Sequence, residues 1–285
     1  MTAPIRLVEV GPRDGLQNEK ATIPTAVKVA FVDALSETGL DEIEVSSFVS
    51  PKWVPQLADA SEVFRQIRRR PGVRYTALVP NEQGLSRAIE AKPDKIAVFA
   101  AASETFSRKN INASIAESIE RFRPVVERSP VPVRGYVSTA FHCPYEGPIS
   151  PDAVLRVAEA LVAVGCVELS IGDTIGKATP DEVRLLLALL IPRFGPAKLA
   201  MHFHDTYGRA VENAAGSAEL GITVFDSSAG GIGGCPYAPG ATGNVATQAL
   251  VDLFGRRTGV DRAALDRASA VLNCGIGNGE WGMGK

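Results

Sequence analysis

The chain has 285 residues, of which 45% are hydrophobic and 22% are charged, and its net charge is -2. This balance provides no basic face for nucleic acid, and no segment approaches the roughly 18 consecutive apolar residues of a membrane span. The length fits one large α/β domain.

Short runs of β-forming residues alternate with longer stretches of helical periodicity along almost the whole chain. This alternation is typical of a parallel sheet covered by helices. The predicted strands are Ile5–Val10, Glu42–Phe48, Val73–Val79, Lys95–Ala101, Val131–Thr139, Cys166–Gly172, Leu199–His204 and Thr223–Ser228. Eight such units predict a (β/α)8 TIM barrel. We expect one domain over residues 1–272, followed by a short glycine-rich C-terminal extension over residues 273–285.

Two stretches illustrate the predicted outer helices. Thr25–Thr38 and Ala153–Val164 each carry apolar residues on one face, which we expect to pack against the barrel. Pro24, Pro151 and Pro180 lie where helices should begin, since proline suits the first turn of a helix.

The cysteines and the N-terminus bear on the cellular compartment. The four cysteines have no C-x-x-C spacing, so we expect neither a disulfide scaffold nor a zinc ribbon. The first strand begins near Ile5, and we therefore expect no signal or transit peptide. Together these features predict a cytoplasmic protein.

A barrel of this kind builds its active site from the loops at the carboxyl ends of its strands. Polar and glycine-rich segments do follow the predicted strands, namely Arg13-Asp14-Gly15, Asp173-Thr174, His204-Asp205 and Gly230–Asn244. Glu44 and Glu168 alternate with apolar neighbours inside strands, so both should point into the lumen. Arg13 is an available partner for Glu44, and this ion pair could be structural or catalytic.

The histidines predict a metal site. His202 and His204 are two apart in a predicted strand and should project from the same face. Hydrogen-bonded strand histidines remain an alternative. The loops also offer oxygen ligands, in Asp14, Asp173, Asp205, Asp226 and Asn244. This donor set favours Mg²⁺ or Mn²⁺ over zinc, although imidazole leaves cobalt, nickel and zinc open.

The segment Gly230–Tyr237 is too rich in glycine for a packed element and contains Cys235. We interpret it as a mobile lid that carries a reactive thiol. A phosphate cradle, a tight turn and a buried thiol remain alternatives.

Seven motifs, in order along the chain, resemble those of the 3-hydroxy-3-methylglutaryl-CoA lyase family, which belongs to the metal-dependent lyase and synthase barrels. They are Val8–Lys20, Ser47–Pro55, Lys109–Asn112, Cys143–Gly147, Gly172–Gly176, His202–Gly208 and Gly233–Tyr237. The resemblance covers most of the chain.

The resemblance implies specific roles for individual residues. The implied metal ligands are Asp14, His202, His204 and Asn244. The implied catalytic residues are Arg13, Cys235 and Asp173, with Asp173 or a site histidine as the base. We expect the acyl-CoA substrate to contact Arg13, Gln17, Glu44, Ser47 and Ser170.

The implied reaction is a retro-aldol (Claisen-type) cleavage that yields acetyl-CoA and acetoacetate. A divalent metal would lower the pKa of the substrate's tertiary hydroxyl, and Arg13 would stabilise the enolate oxygen. Cys235 would donate a proton to the leaving carbon, since an ordinary thiol pKa of about 8.5 permits this near neutral pH. The resemblance further implies a homodimer or larger oligomer and a role in leucine breakdown.

Departures from the family pattern keep alternatives open. Gln248 stands where the family leads us to expect glutamate, so a negative charge is missing near the metal-site loop. The tail after Leu272 also differs from the family. A lyase for a related 3-hydroxyacyl-CoA, a Claisen-condensing acyltransferase of the same barrel superfamily and a non-catalytic CoA-ester-binding protein therefore remain alternatives.

Overall fold

Eight parallel strands form a closed barrel in this computed structural model, which describes residues 3–17, 19, 21–234 and 243–275. Each strand pairs with its neighbours in sequence, and β1 pairs with both β2 and β8 to close the barrel. The strands are β1 Arg6–Glu9, β2 Glu42–Ser47, β3 Arg74–Leu78, β4 Lys95–Ala101, β5 Val133–Ser138, β6 Glu168–Asp173, β7 Leu199–Phe203 and β8 Val224–Ser227. The predicted TIM barrel is confirmed, and every predicted strand is present with its ends shifted by at most two residues.

Ten α-helices are found in the described part of the chain. They are α1 Thr25–Leu35, α2 Ala60–Gln66, α3 Glu82–Ala91, α4 Glu104–Ile111, α5 Ile115–Arg128, α6 Pro151–Ala163, α7 Pro180–Phe194, α8 Ala210–Glu219, α9 Thr247–Phe254 and α10 Arg262–Gly275. A short hairpin, His142–Cys143 paired with Gly147–Pro148, lies between β5 and α6. In the described ranges no helix is long and apolar enough to cross a membrane.

Proline residues mark the starts of three helices, as the sequence predicts. Pro151 and Pro180 are the first residues of α6 and α7, and Pro24 directly precedes α1. Thr179 and Glu182 form a reciprocal capping box at α7, which satisfies backbone N–H groups that the helix leaves unpaired. Helix α1 ends at Leu35 rather than near Thr38, because residues 36–39 form a turn.

The strands alternate between two environments. Leu7, Ile43 and Leu169 pack outward against the helices in the main core, whereas Val8 and Ala200 face the lumen. Lumen positions closer to the amino ends of the strands carry buried ion pairs instead of apolar residues. Because loops at the carboxyl ends build the site, the opposite end serves stability.

Glu168 belongs to these lumen ion pairs, as its strand parity predicts. Its carboxylate lies 3.0 Å from Lys95 Nζ and 3.1 Å from Arg134 Nε, and it also pairs with Arg6. Burial alone would raise the pKa of Glu168, but the three cations lower it to about 2. The pairing keeps this buried carboxylate ionised at neutral pH.

Candidate active site

The segment after β1 positions the first two site residues. Residues Gly11–Gly15 form a single π-helical turn, in which the Gly15 N–H donates to the Val10 carbonyl at 3.2 Å. Such turns occur frequently at functional sites. The turn brings Arg13 and Asp14 to the carboxyl end of the barrel.

Arg13 is a buried cation held from three sides. Its Nε donates to Glu44 Oε2 at 2.6 Å, its Nη1 bonds the Asp14 carboxylate, and its guanidinium lies 5.3 Å from the centre of the Tyr136 ring. The Tyr136 hydroxyl donates to the same Glu44 oxygen at 3.1 Å. Burial alone would lower the pKa of Arg13, but Glu44 and Asp14 raise it above its usual value. The expected ion pair with Glu44 is therefore present, and it fixes the guanidinium in one orientation.

His202 and His204 project into the lumen together, as predicted, and their ring centres are 5.3 Å apart. His202 Nδ1 lies 3.2 Å from Asp226 Oδ2, while the Tyr136 ring packs edge-on at 6.2 Å. A carboxylate acceptor at Nδ1 selects the tautomer in which Nε2 carries a lone pair. His202 therefore presents Nε2 as a ligand atom.

Asp226 is itself held by two lumen side chains. Arg134 Nη2 donates to its Oδ1 at 2.6 Å, and the Ser170 hydroxyl donates to Oδ2 at 2.7 Å. Burial alone would raise the pKa of Asp226, but Arg134 and His202 keep it below its usual range. Asp226 thus acts on the site through His202, since metal-binding histidines commonly donate their second N–H to a carboxylate.

Asp14 and Asn244 complete the polar cluster. Asn244 Nδ2 donates to Asp14 Oδ2 at 2.9 Å and to the Ile232 carbonyl at 3.2 Å. His204 Nε2 lies 3.8 Å from the same Asp14 oxygen, and the backbones of His204 and Asn244 form an isolated β-bridge. Burial alone would raise the pKa of Asp14, but Arg13 and the two histidines lower it to about 2.

These residues fit a divalent cation. Asp14, His202 and His204 each offer a ligand atom, and the three atoms lie within 4.8 Å of one another. Within the described ranges, Asn244 Oδ1 and His204 Nδ1 are buried without a hydrogen-bond partner. Burial, reinforced by His202, lowers the pKa of His204 to about 4, so its imidazole is neutral near pH 7. Two imidazoles, a carboxylate and an amide oxygen form a donor set for a hard or borderline divalent ion.

Asp173 lies at the carboxyl end of β6, next to the histidine strand, and its backbone pairs with Phe203. Its carboxylate accepts from the Lys177 N–H at 3.0 Å and the Ala178 N–H at 2.9 Å. Burial raises the pKa of Asp173 to about 6 despite these hydrogen bonds. A carboxylate with such a pKa can exchange a proton near neutral pH.

The other predicted site residues occupy varied positions. Ser170 is buried in the lumen and bonds Asp226, and Ser47 is buried at the end of β2, where its hydroxyl accepts from the Val49 N–H. Gln17 is half-buried two residues beyond the π-helical turn. Substrate contacts for these three residues stay predictions. Cys235 lies outside the described residues.

Gln248, which departs from the family pattern, connects two segments behind the site. Its Oε1 accepts from the Gly230 N–H at 2.9 Å, and its Nε2 donates to the Ser269 hydroxyl at 2.8 Å. A glutamate could accept both contacts only if Ser269 turned its proton away from the Leu265 carbonyl. The amide of Gln248 therefore donates to the Ser269 hydroxyl on α10 while that hydroxyl keeps its own hydrogen bond to the Leu265 carbonyl.

Sequence reasoning missed Arg134 and Tyr136. Both lie on β5 and face the lumen, where they contact Asp226 and Glu44. The signal was available, because both residues alternate with Val133 and Val137 as Glu44 and Glu168 alternate with their apolar neighbours. Only the closed barrel shows which partners they meet.

Comparisons with known proteins show which family of proteins the chain resembles. A family model described as HMGL-like matches residues 4–271. The chain is 54% identical over 278 residues to a 3-hydroxy-3-isohexenylglutaryl-CoA/hydroxy-methylglutaryl-CoA lyase of Pseudomonas aeruginosa, which covers 94% of this chain and 93% of the relative. It is 52% identical to the cytoplasmic 3-hydroxy-3-methylglutaryl-CoA lyase of Mus musculus, in an alignment that covers 90% of this chain and 77% of the relative. A solved HMG-CoA lyase from Acinetobacter baumannii, in complex with coenzyme A and 3-methylmalate, superposes with a TM-score of 0.92 at 37% identity, covering 97% and 93%.

Proposed function

The chain belongs to the HMGL-like family, and we propose that its site cleaves 3-hydroxy-3-methylglutaryl-CoA into acetyl-CoA and acetoacetate. The observation that carries this function is the convergence of Asp14, His202 and His204 beside the buried Arg13 guanidinium. Breaking this carbon–carbon bond requires removal of the hydroxyl proton and stabilisation of an enolate. The cluster offers groups for both requirements.

Asp14, His202, His204 and Asn244 would hold the divalent ion, which we propose to be Mg²⁺ or Mn²⁺. When bound, the ion supplies Lewis-acid polarisation of the substrate's hydroxyl and carboxylate oxygens. Asp226 keeps His202 Nε2 available, and Arg13 keeps Asp14 ionised. These contacts orient His202 and keep the Asp14 carboxylate ready to bind a cation.

Asp173 accepts the proton of the substrate's tertiary hydroxyl in this proposal. A carboxylate whose pKa is about 6 is a competent base near neutral pH, whereas a histidine that holds the ion has no free lone pair for the proton. The Lys177 and Ala178 N–H groups fix the orientation of the carboxylate. The proton would reside on an Asp173 carboxyl oxygen after cleavage.

Arg13 stabilises the enolate oxygen of the departing acetyl-CoA. Glu44, Tyr136 and Asp14 hold the guanidinium before substrate binds, so little reorganisation is needed as negative charge develops. Burial also strengthens the interaction, since a water-poor surrounding screens charge weakly. We propose that Gln17, Glu44, Ser47 and Ser170 line the substrate site around Arg13.

Turnover by the purified protein is the direct test of this function. We expect the chelator-treated protein to release no acetyl-CoA from 3-hydroxy-3-methylglutaryl-CoA, and Mg²⁺ or Mn²⁺ to restore release under reducing conditions. Acetyl-CoA and acetoacetate should appear in equal amounts. Absence of turnover with every divalent ion, together with retained binding of the CoA ester, would instead identify a non-catalytic CoA-ester-binding protein.

Cys235 is proposed to donate a proton to the enolate carbon. We expect Cys235→Ser to lower kcat by about 100-fold or more while ligand affinity is retained, because a serine hydroxyl is a far weaker acid than a thiol and general acids typically contribute 10²- to 10⁴-fold. Steady-state kinetics and coenzyme A binding measure both quantities.

Cys143→Ser provides the matched control for Cys235→Ser. The Cys143 sulfur accepts hydrogen bonds from the Ser103 hydroxyl at 3.1 Å and from the Tyr145 N–H at 3.4 Å, and a serine oxygen can accept both. We expect this variant to keep its activity. Equal kcat values for Cys235→Ser and the wild type would contradict the assigned role.

The biological setting is part of the same proposal and rests on the resemblance to the family. We propose a cytoplasmic homodimer, or higher homo-oligomer, that acts in leucine breakdown, with an acyl-CoA as substrate. One relative is named for both the isohexenyl and the methyl substrate, so longer C3 substituents belong in the same assay. A hydrophobic pocket discriminates a single methylene by only about 1–3 kcal/mol, so one site can accept substrates whose C3 substituents differ in length.

A further inference from the structure

Glu9 is a fully buried carboxylate that the proposed reaction does not use. It lies on β1, on the opposite face from the lumen residue Val8, and therefore sits between the barrel and the helices. Its Oε1 accepts from the Gly11 N–H at 2.8 Å and from the Ala229 N–H at 2.9 Å. Its Oε2 accepts from the Thr247 hydroxyl at 2.6 Å. One carboxylate thus joins three segments that are distant in sequence.

Each of these segments leads directly to a site residue. Gly11 begins the π-helical turn that carries Arg13 and Asp14. Thr247 begins α9, three residues after Asn244. Ala229 lies three residues before Ile232, whose carbonyl accepts from Asn244 Nδ2. Glu9 is therefore placed where one carboxylate contacts the turn that carries Arg13 and Asp14, the start of α9 and the segment after β8.

The backbone around Glu9 is shaped to admit the carboxylate. A Cβ atom on Gly11 would lie 2.5 Å from Glu9 Oε1, so a side chain at position 11 would displace the carboxylate from its present contacts. On the site side, a Cβ on Gly233 would lie 2.7 Å from Asn244 Nδ2 and 2.9 Å from Gly15 Cα. Because the segments touch backbone to backbone, a shift of one would displace the others.

Placing Glu9 here carries an energetic cost. Burial raises its pKa to about 7, against the three hydrogen bonds that favour the ionised form. An apolar side chain would avoid this cost but would leave the buried N–H groups of Gly11 and Ala229 without an acceptor. The carboxylate at position 9 therefore serves to hold these segments together through its hydrogen bonds.

We propose that Glu9 is a positioning residue that fixes the Arg13–Asp14 turn relative to Asn244 and residues 229–234, and thereby sets both metal affinity and turnover. The turnover part rests on the proposed lyase function, whereas the metal part does not. Outer supports of metal ligands typically change affinity or activity by 10- to 100-fold, and Glu9 lies one step further from the ion.

Variants of Glu9 and Mn²⁺ binding provide the test. We expect Glu9→Ala to weaken Mn²⁺ binding, measured by the EPR signal of free Mn²⁺, by about tenfold. At saturating metal it should lower kcat for 3-hydroxy-3-methylglutaryl-CoA more than it changes KM. Glu9→Gln keeps one acceptor oxygen for both N–H groups, and the Thr247 hydroxyl can turn toward Ser227 Oγ, 3.0 Å away. We expect this conservative variant to stay within about threefold of the wild type in both measurements.

Glu42→Gln is the matched control, because Glu42 is an equally buried carboxylate that faces the lumen and pairs with Arg6 and Lys95 instead of contacting the segments that meet at Glu9. We expect it to lower thermal stability without changing Mn²⁺ affinity. If Glu9→Ala does not fold, Glu9→Asp tests the same contacts with a carboxylate too short to reach all three donors. Native Mn²⁺ affinity and kcat in a folded Glu9→Ala or Glu9→Asp protein would overturn the proposal, as would equal weakening of Mn²⁺ binding by Glu42→Gln. If the wild type shows no lyase turnover, the Mn²⁺ measurements still decide the positioning role.

Discussion

Arg13→Met is expected to lower kcat by about 100- to 1000-fold, the loss that follows removal of one preorganised charge-stabilising donor. Methionine preserves the length and apolar stem of the side chain but supplies no positive charge to the developing enolate. In the native protein that charge is oriented by Glu44 Oε2 at 2.6 Å and by the Tyr136 ring. Steady-state kinetics at saturating metal should show the change mainly in kcat, because the enolate exists only after bond cleavage begins.

The variant also creates a stability problem that must be separated from catalysis. Loss of Arg13 leaves Glu44 as a buried charge without its closest partner, and breaking such a pair typically costs about 3–5 kcal/mol. The double variant Arg13→Met/Glu44→Gln removes that charge, so we expect it to recover thermal stability but not turnover. Recovery of turnover together with stability would show that Arg13 acts only through folding, and would contradict its assigned role.

Much of the fold can be predicted from periodicity alone. Strands of about six residues alternate with amphipathic helices, and a chain that repeats this unit eight times can bury its strands on both faces by closing into a barrel. Lys95–Ala101 is found with the predicted ends, since apolar residues and strand parity define it clearly. The hairpin at residues 142–148 was not predicted, because its strands are only two residues long and carry no periodic signal.

The site was predictable where a local rule applies. Strand parity places His202 and His204 on one face, and the same rule sends Glu44 and Glu168 into the lumen. Strand parity predicts the face to which a side chain points, but it does not predict which residues that side chain contacts. The contact between Asp226 and His202 depends on the pairing of β7 with β8 and on Arg134, which reaches Asp226 from β5 across the lumen.

Contacts between distant segments could not be predicted from one sequence. Asn244 reaches Asp14 across 230 residues, and this depends on the isolated bridge between the backbones of His204 and Asn244. Gln248, which departs from the family pattern, also makes contacts that the sequence alone does not reveal. The sequence shows a missing negative charge, whereas the structure shows an amide that joins Gly230 to Ser269. Glutamine in place of glutamate at position 248 therefore does more than remove a charge, because it also adds an N–H donor that bonds Ser269.

His204→Ala is expected to weaken Mn²⁺ binding and kcat by more than about 100-fold, since merely altering a residue that supports a metal ligand can cost 10- to 100-fold. Its buried imidazole is neutral at pH 7, with a pKa of about 4, and Asp14 Oδ2 lies 3.8 Å away. A neutral ring beside an ionised carboxylate can bind a cation without first losing a proton, so the loss should persist between pH 6 and pH 8 at roughly constant size.

The third histidine supplies the matched control for His204→Ala. His142 Nε2 lies 2.9 Å from Glu182 on α7, and His142 is not part of the Asp14, His202 and His204 group. We therefore expect His142→Ala to retain Mn²⁺ affinity, measured by EPR of the free ion, while losing its contact with the first turn of α7. If His204→Ala bound Mn²⁺ as tightly as His142→Ala and the wild type, the ion would have to bind elsewhere. The buried, unpartnered Asn244 Oδ1 and His204 Nδ1 atoms would then need a different explanation.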